Sequence, residues 1–131
     1  MHLALITVLV PTYDEAIDFF TNALGFDLLE DSKVSDTKRW VRVAPPMQQA
    51  GAQTALLLAQ PKNDTERAAI GNQTGGRVGF FLHTDDFAAA HASMTEAGVR
   101  FLEAPRHEPY GTVAVFTDPW GNTWDLIEPA P

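Results

Sequence analysis

Leu24-Gly25-Phe26-Asp27-Leu28-Leu29-Glu30 and Ala97-Gly98-Val99-Arg100-Phe101-Leu102-Glu103 give the chain the same instructions at two places, 73 residues apart (98 − 25). In each, a glycine ends a helix, as a left-handed C-terminal cap requires, and an extended run closing on Leu-Glu follows at once. Ala16 and Ala89 keep the same spacing upstream. Outward from these anchors, a β-type run (3–10, then 78–84) leads into an acidic helix start in both copies. Ile17, Phe19, Phe20 and Leu24 form the apolar side of one helix, and Phe87, Ala90, Met94 and Ala97 that of the other. Two more strands close each copy: 39–43 and 54–58 in the first, 112–117 and 123–127 in the second. The turns between them are Pro45-Pro46 with Gly51, and Asp118-Pro119-Trp120-Gly121-Asn122. The final strands align as Thr54/Thr123, Leu57/Leu126 and Leu58/Ile127.

The expected fold is therefore α+β. Two βαβββ modules in one chain form a cupped mixed β-sheet with helices on its outer face. A single domain is expected over 1–131, with module 1 at about 1–61, a linker at about 62–76 and module 2 at about 77–131. Within the linker, Asp64 or Thr65 can cap a short helix running through Glu66 to Ile70.

A chain of 131 residues with 45% hydrophobic and 20% charged residues has the composition of an ordinary globular domain. No run approaches the roughly 18 apolar residues needed to span a bilayer, so no membrane association is expected. The run 3–10 lacks a basic flank and reads as a buried strand rather than a signal peptide. There is no cysteine, hence no disulfide or thiolate metal site, and a cytoplasmic location is the default expectation. The net charge of −8 argues against nucleic acid as a partner. Much of that charge has a structural reading: Asp14, Glu15 and Asp18, and then Asp85 and Asp86, stand where acidic groups complement a helix dipole.

Val10-Pro11-Thr12-Tyr13-Asp14-Glu15-Ala16, Phe19-Phe20, Leu24-Gly25-Phe26 and Asp118-Pro119-Trp120-Gly121-Asn122, ending in Asp125-Leu126-Ile127-Glu128, together resemble the signature of the vicinal-oxygen-chelate (glyoxalase/bleomycin-resistance) superfamily. The Asp-Pro-x-Gly-Asn turn is the most specific piece. The resemblance spans nearly the whole chain, and it implies a cleft built by paired modules, with a homodimer as the usual assembly. Members include lactoylglutathione lyase, extradiol dioxygenases, fosfomycin-modifying transferases, methylmalonyl-CoA epimerase and bleomycin-binding proteins, so fold alone does not fix activity.

Catalytic members hold a divalent metal with residues of the first and last strands of both modules. Carried onto this chain, those positions fall on Leu5 (or Ile6), Gly79 (or Val78), Leu56 and Asp125. Only Asp125 can bind a metal, and one carboxylate cannot hold a catalytic divalent ion. No cofactor is expected, a divalent metal being disfavoured. His2, His83, His91 and His107 show no pairing that would rebuild a site, and His91 is expected to face solvent.

Strand alternation assigns Ile6, Val8, Val10, Val41, Val43, Phe80 and Leu82 to the helix side. It leaves Trp40, Arg42, Leu56, Leu58, Phe81, His83, Asp125 and Ile127 facing a cavity. Phe116 is expected as a further large inward residue, and Tyr110 and His107 belong to a loop at the cavity mouth. The candidate ligand-binding set is thus Trp40, Arg42, Phe81, His83, Phe116, Tyr110 and Asp125. Arg42 either faces the ligand or pairs with Asp125, and Trp40 either lines the cavity or packs at a dimer interface. Apolar walls with a few polar groups suit a small-molecule ligand, and a metal-independent binder of an antibiotic or aromatic metabolite is the leading expectation. The alternatives are a glyoxalase-type lyase or isomerase using Asp125 or His83 as base, and a dimeric accessory domain whose cavity is filled by its own side chains.

Overall fold

In the computed structural model, residues 1–46 and 53–131 are described, and the Gly51 part of the expected turn lies outside them. The chain divides into two compact units, Met1–Ile70 and Gly71–Pro131, and the boundary falls within the expected linker. Among the described residues, no helix is long and apolar enough to cross a membrane.

In the first unit, β1 (Leu5–Leu9) precedes α1 (Tyr13–Asp18), which widens into a π-helical turn over Phe19–Ala23. β2 (Asp27–Lys33), β3 (Arg39–Ala44), β4 (Ala55–Ala59) and α2 (Asp64–Ala69) follow. The strands form one sheet in the order β1-β4-β3-β2, with β1 and β4 parallel and the other pairs antiparallel. The Thr12 hydroxyl caps α1 by accepting from the Glu15 N–H. The wider π turn lets both Phe19 and Phe20 be buried, and their rings meet edge to face at 5.3 Å. Gly25 ends the helix at φ 71°, and Gly98 ends its counterpart at φ 91°, as their spacing implies. In the linker helix, Asn63 rather than Asp64 or Thr65 is the cap: its Oδ1 accepts from the Glu66 N–H at 2.8 Å.

The second unit contains β5 (Val78–His83), α3 (Phe87–Glu96), β6 (Arg100–Phe101), β7 (Arg106–Glu108), β8 (Gly111–Thr117) and β9 (Thr123–Pro129). Its order, β5-β9-β8-β6, repeats that of the first unit, and β7 also pairs with β8. The stretch expected as a loop at 106–111 is therefore partly a strand. Asp86 caps α3 through the Ala89 N–H at 3.0 Å. A column of rings makes the core: Phe80 stacks on Trp124 (4.3 Å), Trp124 on Phe116 (5.7 Å), and Phe116 packs against Phe101 (5.6 Å). His91 continues the column, between Phe101 at 4.1 Å and Phe87 at 5.5 Å, so it does not simply face solvent.

The Asp118–Asn122 turn is held from inside by the Asp118 carboxylate. Its Oδ1 accepts from the N–H groups of Trp120 (3.1 Å), Gly121 (3.0 Å) and Asn122 (3.0 Å). Its Oδ2 accepts from Asn122 Nδ2 (2.9 Å) and Trp124 Nε1 (3.2 Å). Gly71 lies against this turn so closely that a Cβ there would sit 1.7 Å from the Trp120 carbonyl oxygen. Asn122 also accepts from the Gln73 N–H at 3.3 Å. Residues just past the unit boundary are thereby fastened to the second unit's own turn.

Candidate functional site

Register decides which side chains share a face. In the first unit, Thr7 pairs with Leu57, Leu57 with Arg42, and Arg42 with Glu30, giving one row across all four strands. The opposite face carries Val8, Leu58 and Val41, with Leu56 beside Val43. Val8, Val41, Val43 and Leu58 are essentially fully buried there. The expected parity thus holds for β1 and β3 but is reversed in β4: Leu56 and Leu58 point to the helix side, and Leu57 shares the face of Arg42. Trp40, two residues before Arg42 and on its face, is partly exposed opposite Ser32.

Arg42 meets a carboxylate on its own sheet. Its Nε lies 3.0 Å from Glu30 Oε1, so Glu30 is its partner rather than Asp125. The Ser32 hydroxyl, and after it Arg42, hold the Glu30 carboxyl below its ordinary value.

In the second unit, Phe81 pairs with Asp125 and His83 with Ile127, while Val115 flanks Asp125 from β8. Phe116 pairs with Trp124 on the other face and is fully buried in the ring column, so it is a core residue rather than a wall of the site. Phe81 and Tyr110 are exposed, at 62% and 54%. His83 is exposed at the end of β5. His107 is exposed on β7, its Nδ1 3.3 Å from the Thr112 hydroxyl.

Asp125 is half-buried, and its Oδ1 is sealed from solvent with no hydrogen-bond partner among the described residues. Burial pushes its carboxyl above the ordinary value; Arg106 pulls it back and Glu103 adds to the rise. Arg106 is itself occupied, by Glu103 (3.0 Å) and by Glu108 (2.8 Å). Glu103 also accepts from the Val115 N–H at 3.1 Å, fixing this ionic group to the strand beside Asp125. The run Arg100 to Glu108 thus supplies a charged neighbourhood for Asp125 that strand alternation alone does not reveal. The only advance signal is the density of charge in Glu103, Arg106 and Glu108.

Two four- and five-stranded sheets with the same strand order, each assembled from strand, helix and three or more strands, define the paired-βαβββ class. The chain belongs to the glyoxalase/bleomycin resistance protein/dioxygenase superfamily, whose family model matches residues 2–126. It is 46% identical over 129 residues to an uncharacterized protein of Shewanella frigidimarina (strain NCIMB 400), covering 98% of this chain and 91% of that one. Among solved structures it is similar to TnmS3, an antibiotic-binding protein from Streptomyces sp. CB03234, with TM-score 0.78, 35% identity, and 99% and 97% of the two chains covered. It is also similar to UcmS2, with TM-score 0.82, 29% identity and 98% of each chain covered.

The family's divalent metal can be tested against these residues. By pairing, the counterpart of Asp125 in the first unit is Leu57, one residue on from Leu56, and it has no donor atom. Leu5 has none either. Gly79 lies in a bulge between Val78 and Phe80, and the Thr74 methyl would stand 2.7 Å from any Cβ placed on it. A ligating side chain at 79 therefore has no room until Thr74 moves. Asp125 alone remains, flanked by Phe81 and Val115. Among the described residues, no three His, Asp or Glu side chains gather to hold a metal ion. This donor set does not fit the family's metal.

Proposed function

We propose that this protein is a metal-independent binder of a small antibiotic or aromatic metabolite. One observation carries the reading: Phe81, in mid-strand, is 62% exposed beside the half-buried Asp125, with Val115 on the other side of that carboxylate. A large exposed aromatic next to a single desolvated polar group is the profile of a ligand wall. The 35% identity to the antibiotic-binding TnmS3 supports it. His83 and Tyr110, in the same unit as Phe81, are further contact residues of this proposal; Trp40 and Arg42 are contact residues proposed for the first unit by itself, and the assembly is a cytoplasmic homodimer.

A thermal-shift screen against aromatic antibiotics and cationic glycopeptides tests the reading. A true ligand present at 100 times its Kd stabilises the fold by about 2.7 kcal/mol. If no compound of the panel raises the melting temperature, the binding reading is wrong. Elemental analysis of the purified protein should find no stoichiometric transition metal, and light scattering should give twice the chain mass.

A second reading, a lyase or isomerase, has one observation in its favour: Asp125 is a half-buried carboxyl whose burial raises its proton affinity, as a general base requires. It predicts turnover that Asp125→Asn abolishes while ligand affinity survives. Binding without turnover of any panel compound leaves the first reading in place.

A further inference from the structure

Phe81 and Asp125 are register partners on neighbouring parallel strands, so ring and carboxylate share one face at the spacing of adjacent strands. Each lacks what its position usually supplies. The ring is exposed in mid-strand, and the Asp125 Oδ1 is shut off from water without a donor in exchange. Buried acceptors of that kind are rare in folded proteins, because lost hydration is normally replaced by a hydrogen bond. The charged groups around Asp125 do not supply one. Arg106 is engaged by Glu103 and Glu108, so its one guanidinium is already shared between two carboxylates before Asp125 is counted. His83 stands two residues along β5 from Phe81 on the same face, with its ring exposed. An anionic molecule would be repelled here, and a neutral one would leave the excess charge unmet.

An ammonium group answers both deficits. It is attracted to the face of an aromatic ring and forms a charge-assisted hydrogen bond with a carboxylate. Carboxylate charge is shared between both oxygens, so a cation meeting the more accessible one also offsets the dehydration of the other. The geometry points to a ligand that is an apolar or aromatic molecule carrying a protonated amine, with its nitrogen on Asp125 and the adjoining carbon framework against Phe81. This assignment rests on the binding reading above and narrows it to one chemical class.

Three probes of one shape test it: naphthylmethylamine, naphthylmethanol and naphthoate, titrated at neutral pH with affinity read from amide chemical shifts. The amine should bind the wild-type protein about tenfold more tightly than the alcohol, and naphthoate most weakly. Asp125→Asn should bring amine and alcohol to the same affinity, and Phe81→Ala should weaken both. Asparagine keeps the shape of aspartate and Phe81 is exposed, so both variants should fold, which their melting curves will verify. Equal binding of amine and alcohol to the wild type overturns the cationic class, as does an amine preference that survives Asp125→Asn. If the alcohol still binds and depends on Phe81, the binding reading stands without the cationic class. Failure of all three probes to bind overturns both.

Discussion

Asp118 shows how much one side chain can hold. At 2% exposure its carboxylate accepts five hydrogen bonds from a turn that carries no positively charged group. Asp118→Ala leaves those donors buried and unpaired, and should cost about 3–5 kcal/mol in chemical denaturation. Asp118→Asn is a sharper test: its Nδ2 must confront donors from Asn122 or Trp124, and a loss of about 2 kcal/mol is expected. Asp125 is the opposite case. Its folded-state carboxyl value is raised, so the native protein holds that proton to higher pH than the unfolded chain does. The stability tied to this group is full below about pH 4 and declines as pH rises through the folded value. Asp125→Asn should therefore raise stability at neutral pH and flatten that part of the pH profile, as chemical denaturation at several pH values would show. A protein that tolerates such a cost at one residue commonly does so for function. Carrying the family's ligand positions onto the chain marked Asp125 as the one ionisable group among them. It could not find its sealed oxygen, which depends on packing, nor the Glu103–Arg106–Glu108 group beside it.

Among the elements, β3 and β4 show what a strand reveals of its own orientation. Val41-Arg42-Val43 alternates apolar and polar, and its burial follows that alternation. Ala55-Leu56-Leu57-Leu58-Ala59 is apolar throughout, so nothing in it marks a face, and alignment to β9 one residue out of register turned every side chain over. Val113-Ala114-Val115-Phe116 is silent for the same reason, and there Phe116 belongs to the core. The observed register has a direct test. Leu57→Asp puts a carboxylate next to Arg42 on the partly open face and should cost about 1 kcal/mol or less. Leu58→Asp buries an unpaired charge against Val8 and Val41 and should cost more than about 4 kcal/mol, or prevent folding. Melting both variants side by side distinguishes the two registers. The helices were more legible, because Gly25, Gly98 and Asp86 act through the backbone and need no tertiary context. The short strand β7 was not, since three residues carry too little pattern to separate from a loop.

Over the whole chain, an excess of eight negative charges surrounds few cationic groups, several of which are already tied down: Arg39 to Asp14 and Asp31, Arg42 to Glu30, Arg106 to Glu103 and Glu108. A cationic ligand should therefore associate more slowly as salt is raised from ~0.01 to ~0.15 M, where screening shortens from roughly 30 Å to roughly 8 Å. Stopped-flow association rates at several ionic strengths would show it, and a flat dependence would assign the charge to solubility alone. The repeat made the two-part architecture readable from residues 73 apart, because a duplicated helix stop leaves the same mark twice. The two copies differ in detail, and one contact in the second ties two of its residues together. Thr74 rests its methyl over Gly79 and ties its hydroxyl to the Arg77 carbonyl at 2.6 Å. A histidine arriving at 79 would collide with that methyl, and a smaller residue arriving first at 74 would uncover the bulge and give up the tie. What position 79 can carry is therefore set by residue 74, and a double substitution at the two should not equal the sum of its parts.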